Sequence, residues 1–314
     1  MSFDLIPEPQ SVTLNGEAVD SDDAGAPVPV ALPLVGRISE DRDIDDIAGV
    51  FPTQLADDIE AATGLRWDIA SDVMVAGLPA PNAATAHPVP PHASCWKSFI
   101  TLRLDPSSLE PQEYRLTIAR SGIDVVGGDT EGVRNGVQTL RQIIRQCAPA
   151  LPRLVIADKP AYKVRGYYLD ATRGRVPTLD WLKTWADRLC LYKYNQLQLY
   201  IEHTFMFDDL SETWRGTSPL KPADIIAFDE YCARLGIELV PSVSTFGHQY
   251  MAMRTRELRH LGEFPEDADR RYGFVERQRH HTLNITEPES LAFSFKLIDA
   301  YMQLFRTRKF NICG

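Results

Sequence analysis

No CxxC pair and no metal-ligand spacing link the five cysteines, Cys95, Cys147, Cys190, Cys232 and Cys313. Scattered and odd in number, they read as free, mostly buried thiols in a reducing compartment, not as a disulfide framework. His203, His260, His280 and His281 fit no ligand pattern either, so no metal and no cofactor are expected. Basic residues are in deficit: 33 Lys and Arg against 43 Asp and Glu leave a formal net charge of −10. Nothing is left over to neutralise phosphates, which excludes a general nucleic-acid binder. No uninterrupted apolar run is long enough to span a bilayer, so no membrane partner is expected. Met1-Ser2-Phe3-Asp4-Leu5-Ile6-Pro7 offers neither the basic nor the apolar stretch of a secretory signal, and a cytoplasmic location is the expectation. The sequon Asn284-Ile285-Thr286 carries no weight without secretion. No Gly-rich phosphate fingerprint follows any strand-like run, which counts against a nucleotide-binding sheet.

What is present is an ordinary globular composition, 44% apolar and 24% charged over 314 residues, a length that favours two domains. Residues 1–160 mix short extended runs with two helices. Val28–Leu34 is extended. Pro52–Ala62 is helical, with Leu55 and Ile59 four apart and Gly64 beyond its end. Pro79–Pro91 reads as a Pro- and Ala-rich surface excursion. Glu113–Ile118 and Ile123–Val126 form a hairpin about Ser121-Gly122, and Gly132–Gln146 is an amphipathic helix with Val133, Val137, Leu140, Ile143 and Ile144 on one face. The expected domain is α+β, a sheet covered by helices.

Residues 161–314 alternate instead. Strands are expected at Val164–Asp170, Gln196–Ile201, Ile237–Val243 and Phe310–Cys313. Helices are expected at Thr178–Lys193, capped by Thr178, at Pro222–Leu235, stopped by Gly236, and at Ser290–Arg306. Such β-α repetition means parallel strands joined by crossovers, in an open sheet or a β/α barrel. About 250 residues make a full barrel, so this stretch has room for half of one.

Polar residues gather at the strand ends, where a barrel displays its chemistry. They are Asp170 and Arg173, then Glu202 and His203, then Ser244, Thr245 and His248. Carboxylates, imidazoles and a guanidinium at one rim suit a hydroxyl-rich ligand. Bland readings stand beside these. Arg165 in its strand is a structural ion-pair partner. Asp170, Glu202 and His203 are each equally readable as structural. His248 has a loop histidine held by backbone as its alternative. Trp181 and Trp185 are core or interface residues. The charged stretch Arg254–Arg279 is a solvated loop.

The segments in order resemble glycoside hydrolase family 20, the β-N-acetylhexosaminidases. Val164-Arg165-Gly166-Tyr-Tyr-Leu169-Asp170-Ala-Thr-Arg173 resembles the opening barrel strand, preceded by a junction-like Ile156–Tyr162. Tyr192–Leu199 resembles the entry to strand two, Pro241–His248 the Gly-His motif of strand three, and Phe310-Asn-Ile-Cys-Gly314 strand four. Upstream, Ile6–Gln10 and Tyr114 through Leu140 resemble the α+β domain ahead of that barrel.

The resemblance implies an α/β protein: an N-terminal α+β domain over 1–160, then strands one to four of a (β/α)8 TIM barrel over 161–314. It implies substrate-assisted, retaining hydrolysis of terminal β-linked N-acetylglucosamine or N-acetylgalactosamine. Arg173, with Asp170, would bind the sugar, and His248, Glu202 and His203 would support the acid. Strand four in this family runs into an Asp-Glu pair that follows no residue here, so the chain is expected to be cut short and inactive alone. Ile201-Glu202-His203 also departs from the Asp-Asp pair many members carry after strand two. A half barrel bares strand edges, which favours self-association, a homo-oligomer included. The rival readings are a non-catalytic carbohydrate-binding or scaffold protein on the same fold, and another amino-sugar glycosidase.

Overall fold

The computed structural model describes residues 3–14, 28–47, 49–70, 98–277 and 282–313. The Pro79–Pro91 excursion, Cys95 and the His280-His281 pair lie outside them. The chain divides into two units, residues 1–163 with 191–193, and residues 164–190 with 194–314.

The first unit holds strands β1 (Ser11–Leu14), β2 (Val30–Ala31), β3 (Arg37–Glu40), β4 (Asp68–Ala70), β5 (Ile100–Leu104), β6 (Tyr114–Ala119), β7 (Gly122–Gly127), β8 (Ala150–Leu151) and β9 (Leu154–Asp158), with helices α1 (Val50–Thr63) and α2 (Thr130–Cys147). Seven strands form one mixed sheet in the order β1-β9-β6-β7-β5-β3-β4, and β2 pairs with β8. The hairpin and both helices expected from the sequence are present. The extended run at 28–34 contracts to the two residues of β2, because the ladder with β8 pairs Val30 and Ala31, while the next amide, Leu32, donates to the Pro149 carbonyl at 2.8 Å.

Alternation decides which face is buried. Tyr114, Leu116 and Ile118 of β6, Ile123 and Val125 of β7, and Leu154 and Ile156 of β9 meet Val133, Val137, Leu140 and Ile144 of α2 in one core. Asp129 caps α2 by accepting from the Gly132 amide at 2.7 Å. Gly136 lets the helix sit close: a Cβ there would stand 2.6 Å from Val125 Cγ1. The two helices are clamped by a buried carboxylate, Asp58 of α1, which pairs with Arg141 at 2.7 Å and Arg145 at 2.8 Å in α2.

The second unit is built on three parallel strands, β10 (Gly166–Asp170), β11 (Gln196–Ile201) and β12 (Glu238–Val243). Helix α3 (Leu179–Leu191) lies in the first crossover; α4 (Ser211–Trp214) and α5 (Pro222–Arg234) lie in the second. After β12 come α6 (Tyr250–Met253), α7 (Phe274–Arg277) and α8 (Pro288–Met302). Thr178 caps α3, accepting from the Trp181 amide at 3.3 Å, and Pro222 opens α5 as expected. Leu197, Leu199 and Ile201 of β11 are buried on one face. By register the other face runs in polar rows: Tyr168 beside Gln198, then Asp170 beside Tyr200 beside Ser242.

Two expectations need correction here. The fourth strand is a single parallel bridge, Ser242 to Asn311. Two backbone bonds make it, Val243 N to Asn311 O and Asn311 N to Pro241 O, each 3.0 Å. Beyond the bridge the Asn311 side chain takes the Cys313 amide at 3.0 Å and Cys313 adopts a left-handed φ of 49°. The charged stretch 254–279 is not a plain solvated loop. Its described residues hold α7 and two short 3-10 turns, Arg259–Leu261 and Pro265–Asp267, with Leu258, Leu261 and Ala268 buried beneath. Those three apolar side chains give it a small core of its own. Among the described residues no helix is long and apolar enough to cross a membrane.

Candidate active site

Parallel strands deliver the residues that follow them to one edge of the sheet, the edge where α/β folds bind ligands. Asp170 ends β10, Glu202 follows β11, and Ser244 to His248 follow β12. Asp170, Arg173, Glu202, His203 and His248 therefore come together.

The turn after β10 is made by Asp170. Its Oδ1 accepts from the Thr172 amide at 2.8 Å and the Arg173 amide at 3.1 Å, and its Oδ2 pairs with Arg173 Nη1 at 2.5 Å. Burial pushes this carboxyl up, but the Arg173 hydrogen bond and the two amides outweigh it and hold the group below the ordinary carboxylate range. The other guanidinium nitrogen, Arg173 Nη2, lies 3.1 Å from Glu202 Oε1 and 3.2 Å from His248 Nδ1. Arg173 thus ties together the ends of all three strands while half its side chain, 50%, stays open to solvent. Burial opposes its charge, yet the Asp170 hydrogen bond and Glu202 raise its pKa above the usual arginine value.

Glu202 is the shielded member, with a side chain 13% exposed. Its amide donates to Thr172 Oγ1 at 3.0 Å, and that hydroxyl meets Thr204 Oγ1 at 3.1 Å. His203 Nδ1 stands 4.0 Å from Glu202 Oε2, and His248 Nδ1 stands 3.8 Å from Oε1. Both histidines line a cleft with Glu202, whose lining also includes Phe207, Leu210, Phe293 and Leu297.

His248 reaches the site from a strained position, φ 57°, which in a residue other than glycine costs about 1–3 kcal/mol. The loop holding it is over-determined. Ser244 donates to the Gly247 carbonyl at 2.8 Å, Gln249 to the Ser244 carbonyl at 2.5 Å, and Thr245 to the Ile312 carbonyl at 2.8 Å.

Sequence reasoning passed over Tyr200, as a plain strand residue. Its hydroxyl donates to Glu202 Oε1 at 2.7 Å and its ring lies 5.3 Å from the Arg173 guanidinium. Burial first, then the Glu202 charge, lift its phenol above the ordinary tyrosine range. The signal was available in period-two alternation, which puts Tyr200 on the face of Gln198 and Glu202. Trp181 and Trp185 stack on each other at 5.4 Å, with Arg175 over Trp181 at 4.4 Å. Among the described residues no group of three or more His, Cys, Asp or Glu side chains is placed to hold a metal ion.

Comparison with known proteins bears on what this arrangement serves. Residues 45–159 match the family described as glycosyl hydrolase family 20, domain 2. A beta-hexosaminidase of Akkermansia muciniphila is 30% identical over 169 residues, covering 45% of this chain and 33% of that protein. A lacto-N-biosidase of Bifidobacterium bifidum is 27% identical over 221 residues, covering 68% of this chain and 18% of that protein. Among solved structures, the N-acetyl-beta-hexosaminidase of Streptomyces plicatus superposes with a TM-score of 0.69 at 21% identity, over 98% of this chain and 58% of that one. The exo beta-N-acetylglucosaminidase of Vibrio harveyi gives 0.72 at 17%, over 98% and 46%. At these identities the structural likeness is one of fold. The chain spans a third or less of these curated relatives and about half of these solved chains.

Proposed function

We infer, from a chain that belongs to glycosyl hydrolase family 20, a glycosidase that releases terminal β-linked N-acetylhexosamines with retention. In this reading the first unit is the α+β domain that precedes the catalytic domain, and the second is the first half of a (β/α)8 barrel. The observation that carries it is the convergence of Arg173, Asp170, Glu202 and His248 at the C-terminal ends of three successive parallel strands.

The chemistry is substrate-assisted. The acetamido oxygen of the sugar attacks its own anomeric carbon, the leaving oxygen takes a proton from an acid, and water then opens the cyclic intermediate. Arg173 presents a planar fork of donors, half exposed, to the sugar hydroxyls. Asp170 fixes the direction of that fork. Glu202, His203 and His248 form the polar wall beside it.

Neither carboxylate suits the role of acid. Asp170 is held ionised by Arg173, and Glu202 Oε1 is already occupied by Tyr200 and Arg173. We therefore assign the acid and the acetamide-orienting carboxylate to the Asp-Glu pair implied after strand four, and expect these 314 residues to bind an amino sugar without hydrolysing its glycosides. The test is a pair of measurements on the chain: N-acetylglucosamine against glucose in an NMR titration, and turnover of an aryl β-N-acetylglucosaminide. Selective binding without turnover supports the reading; turnover refutes the assignment of the acid, and equal affinity for glucose refutes the sugar class.

A further inference from the structure

We propose that Tyr200 is a positioning residue: its hydroxyl holds the Glu202 carboxylate in one orientation while its ring carries the Arg173 guanidinium, so the two charged groups face a ligand as one fixed pair. The proposal deepens the reading above for what the pair binds. The link between Tyr200 and Glu202 stands on geometry alone.

Tyr200 sits in the middle of the three-strand row, between Asp170 of β10 and Ser242 of β12. It is 3% exposed, so its ring and hydroxyl have one packed position. Glu202 comes two residues later on the same face, which brings the phenol to Glu202 Oε1 at 2.7 Å. That oxygen also faces Arg173 Nη2 at 3.1 Å. With Oε1 held from two sides, Oε2 turns toward His203 and the cleft. Arg173 is constrained in turn, by Asp170 at one nitrogen and by the Tyr200 ring 5.3 Å away. A flexible guanidinium loses much of its freedom before any ligand arrives, which is the physical content of preorganisation.

A phenylalanine at 200 keeps the ring and the packing and removes only the hydroxyl. If Tyr200 merely fills space, Tyr200→Phe changes nothing at the site. If it acts through Glu202, the effect depends on Glu202 being there.

Two experiments on the 314-residue chain separate these cases. The first uses tyrosine labelled with 13C at Cζ. The Tyr200 resonance, assigned by its loss in Tyr200→Phe, is expected to titrate above the ordinary tyrosine range and to move down in Glu202→Gln. An unmoved midpoint overturns the proposal. The second is a double-mutant cycle on the affinity for N-acetylglucosamine. Tyr200→Phe is expected to weaken binding about tenfold, as the loss of a hydrogen bond to a charged group does, and to cost almost nothing in a Glu202→Ala background, which has no acceptor for the phenol. Equal losses in both backgrounds overturn the proposal. If the wild-type chain shows no affinity for the sugar, the glycosidase reading falls, while the Tyr200 titration still decides whether the phenol is tied to Glu202.

Discussion

Arg173 Nη2 lies 3.1 Å from Glu202 Oε1, an ion pair between groups that follow two neighbouring parallel strands. With Asp170 at its other nitrogen, Arg173 is the hub through which the ends of β10, β11 and β12 meet.

Arg173→Ala should weaken N-acetylglucosamine binding by at least about tenfold, because it removes donors and leaves two carboxylates facing each other. Arg173→Lys should recover only part of the loss, since one ammonium cannot bridge Asp170 and Glu202 as a fork does. A titration of the three proteins checks this, and full recovery by lysine would show that charge alone suffices.

The Asp170 pair should fade in acid. Its folded pKa is depressed, so its stabilisation is fully present above the unfolded value, about 3.9, and is lost as pH falls through the depressed folded value. The gap in melting temperature between wild type and Asp170→Asn should be constant above about pH 5 and close below it. A gap that persists in strong acid would mean the carboxylate charge is not what matters.

Glu40 and Asp46 should act in the opposite direction. Burial, then Asp46, push Glu40 up to about 8. Burial pushes Asp46 up to about 6, against the Phe51 amide that donates to it at 2.7 Å. Raised carboxyls mean that the folded chain keeps protons the unfolded chain releases. The benefit is full below the ordinary value of 4.5 for Glu40 and disappears as pH climbs to about 8. Glu40→Gln should therefore melt a few degrees higher than wild type near pH 8, with little gain near pH 4. Thermal melts across that range are the measurement.

Lys193→Met should destabilise the first unit by about 3–5 kcal/mol, the usual effect of removing one partner of a buried pair. Lys193 is 4% exposed and lies 3.3 Å from Asp158 and 3.0 Å from the Tyr114 hydroxyl. Denaturant unfolding should show the loss, and Asp158→Asn added to Lys193→Met should restore part of it.

Local pattern explains how much of this was legible beforehand. The strand Gln196–Ile201, the hairpin around Gly122, the cap at Thr178 and the stop at Gly236 each depend on residues within one turn or one pleat. The convergence of Asp170, Arg173, Glu202 and His248 was legible too, because β-α repetition alone predicts parallel strands with their ends together. For Tyr200 the alternation showed the face but not the role, since its hydroxyl matters only through where Glu202 and Arg173 fold back to. The ordered stretch after α6 was not legible, because its charged composition hides the buried Leu258 and Leu261.

The sequence by itself determined the order of elements, the parallel arrangement of β10 to β12 and the rim on which polar side chains gather, because hydrophobic period and turn chemistry are local. Only the tertiary structure decided that one guanidinium would bind two carboxylates and that a phenol would steady one of them. Such choices depend on distances of a few ångströms between residues far apart in the chain, and those distances exist only once the core has closed.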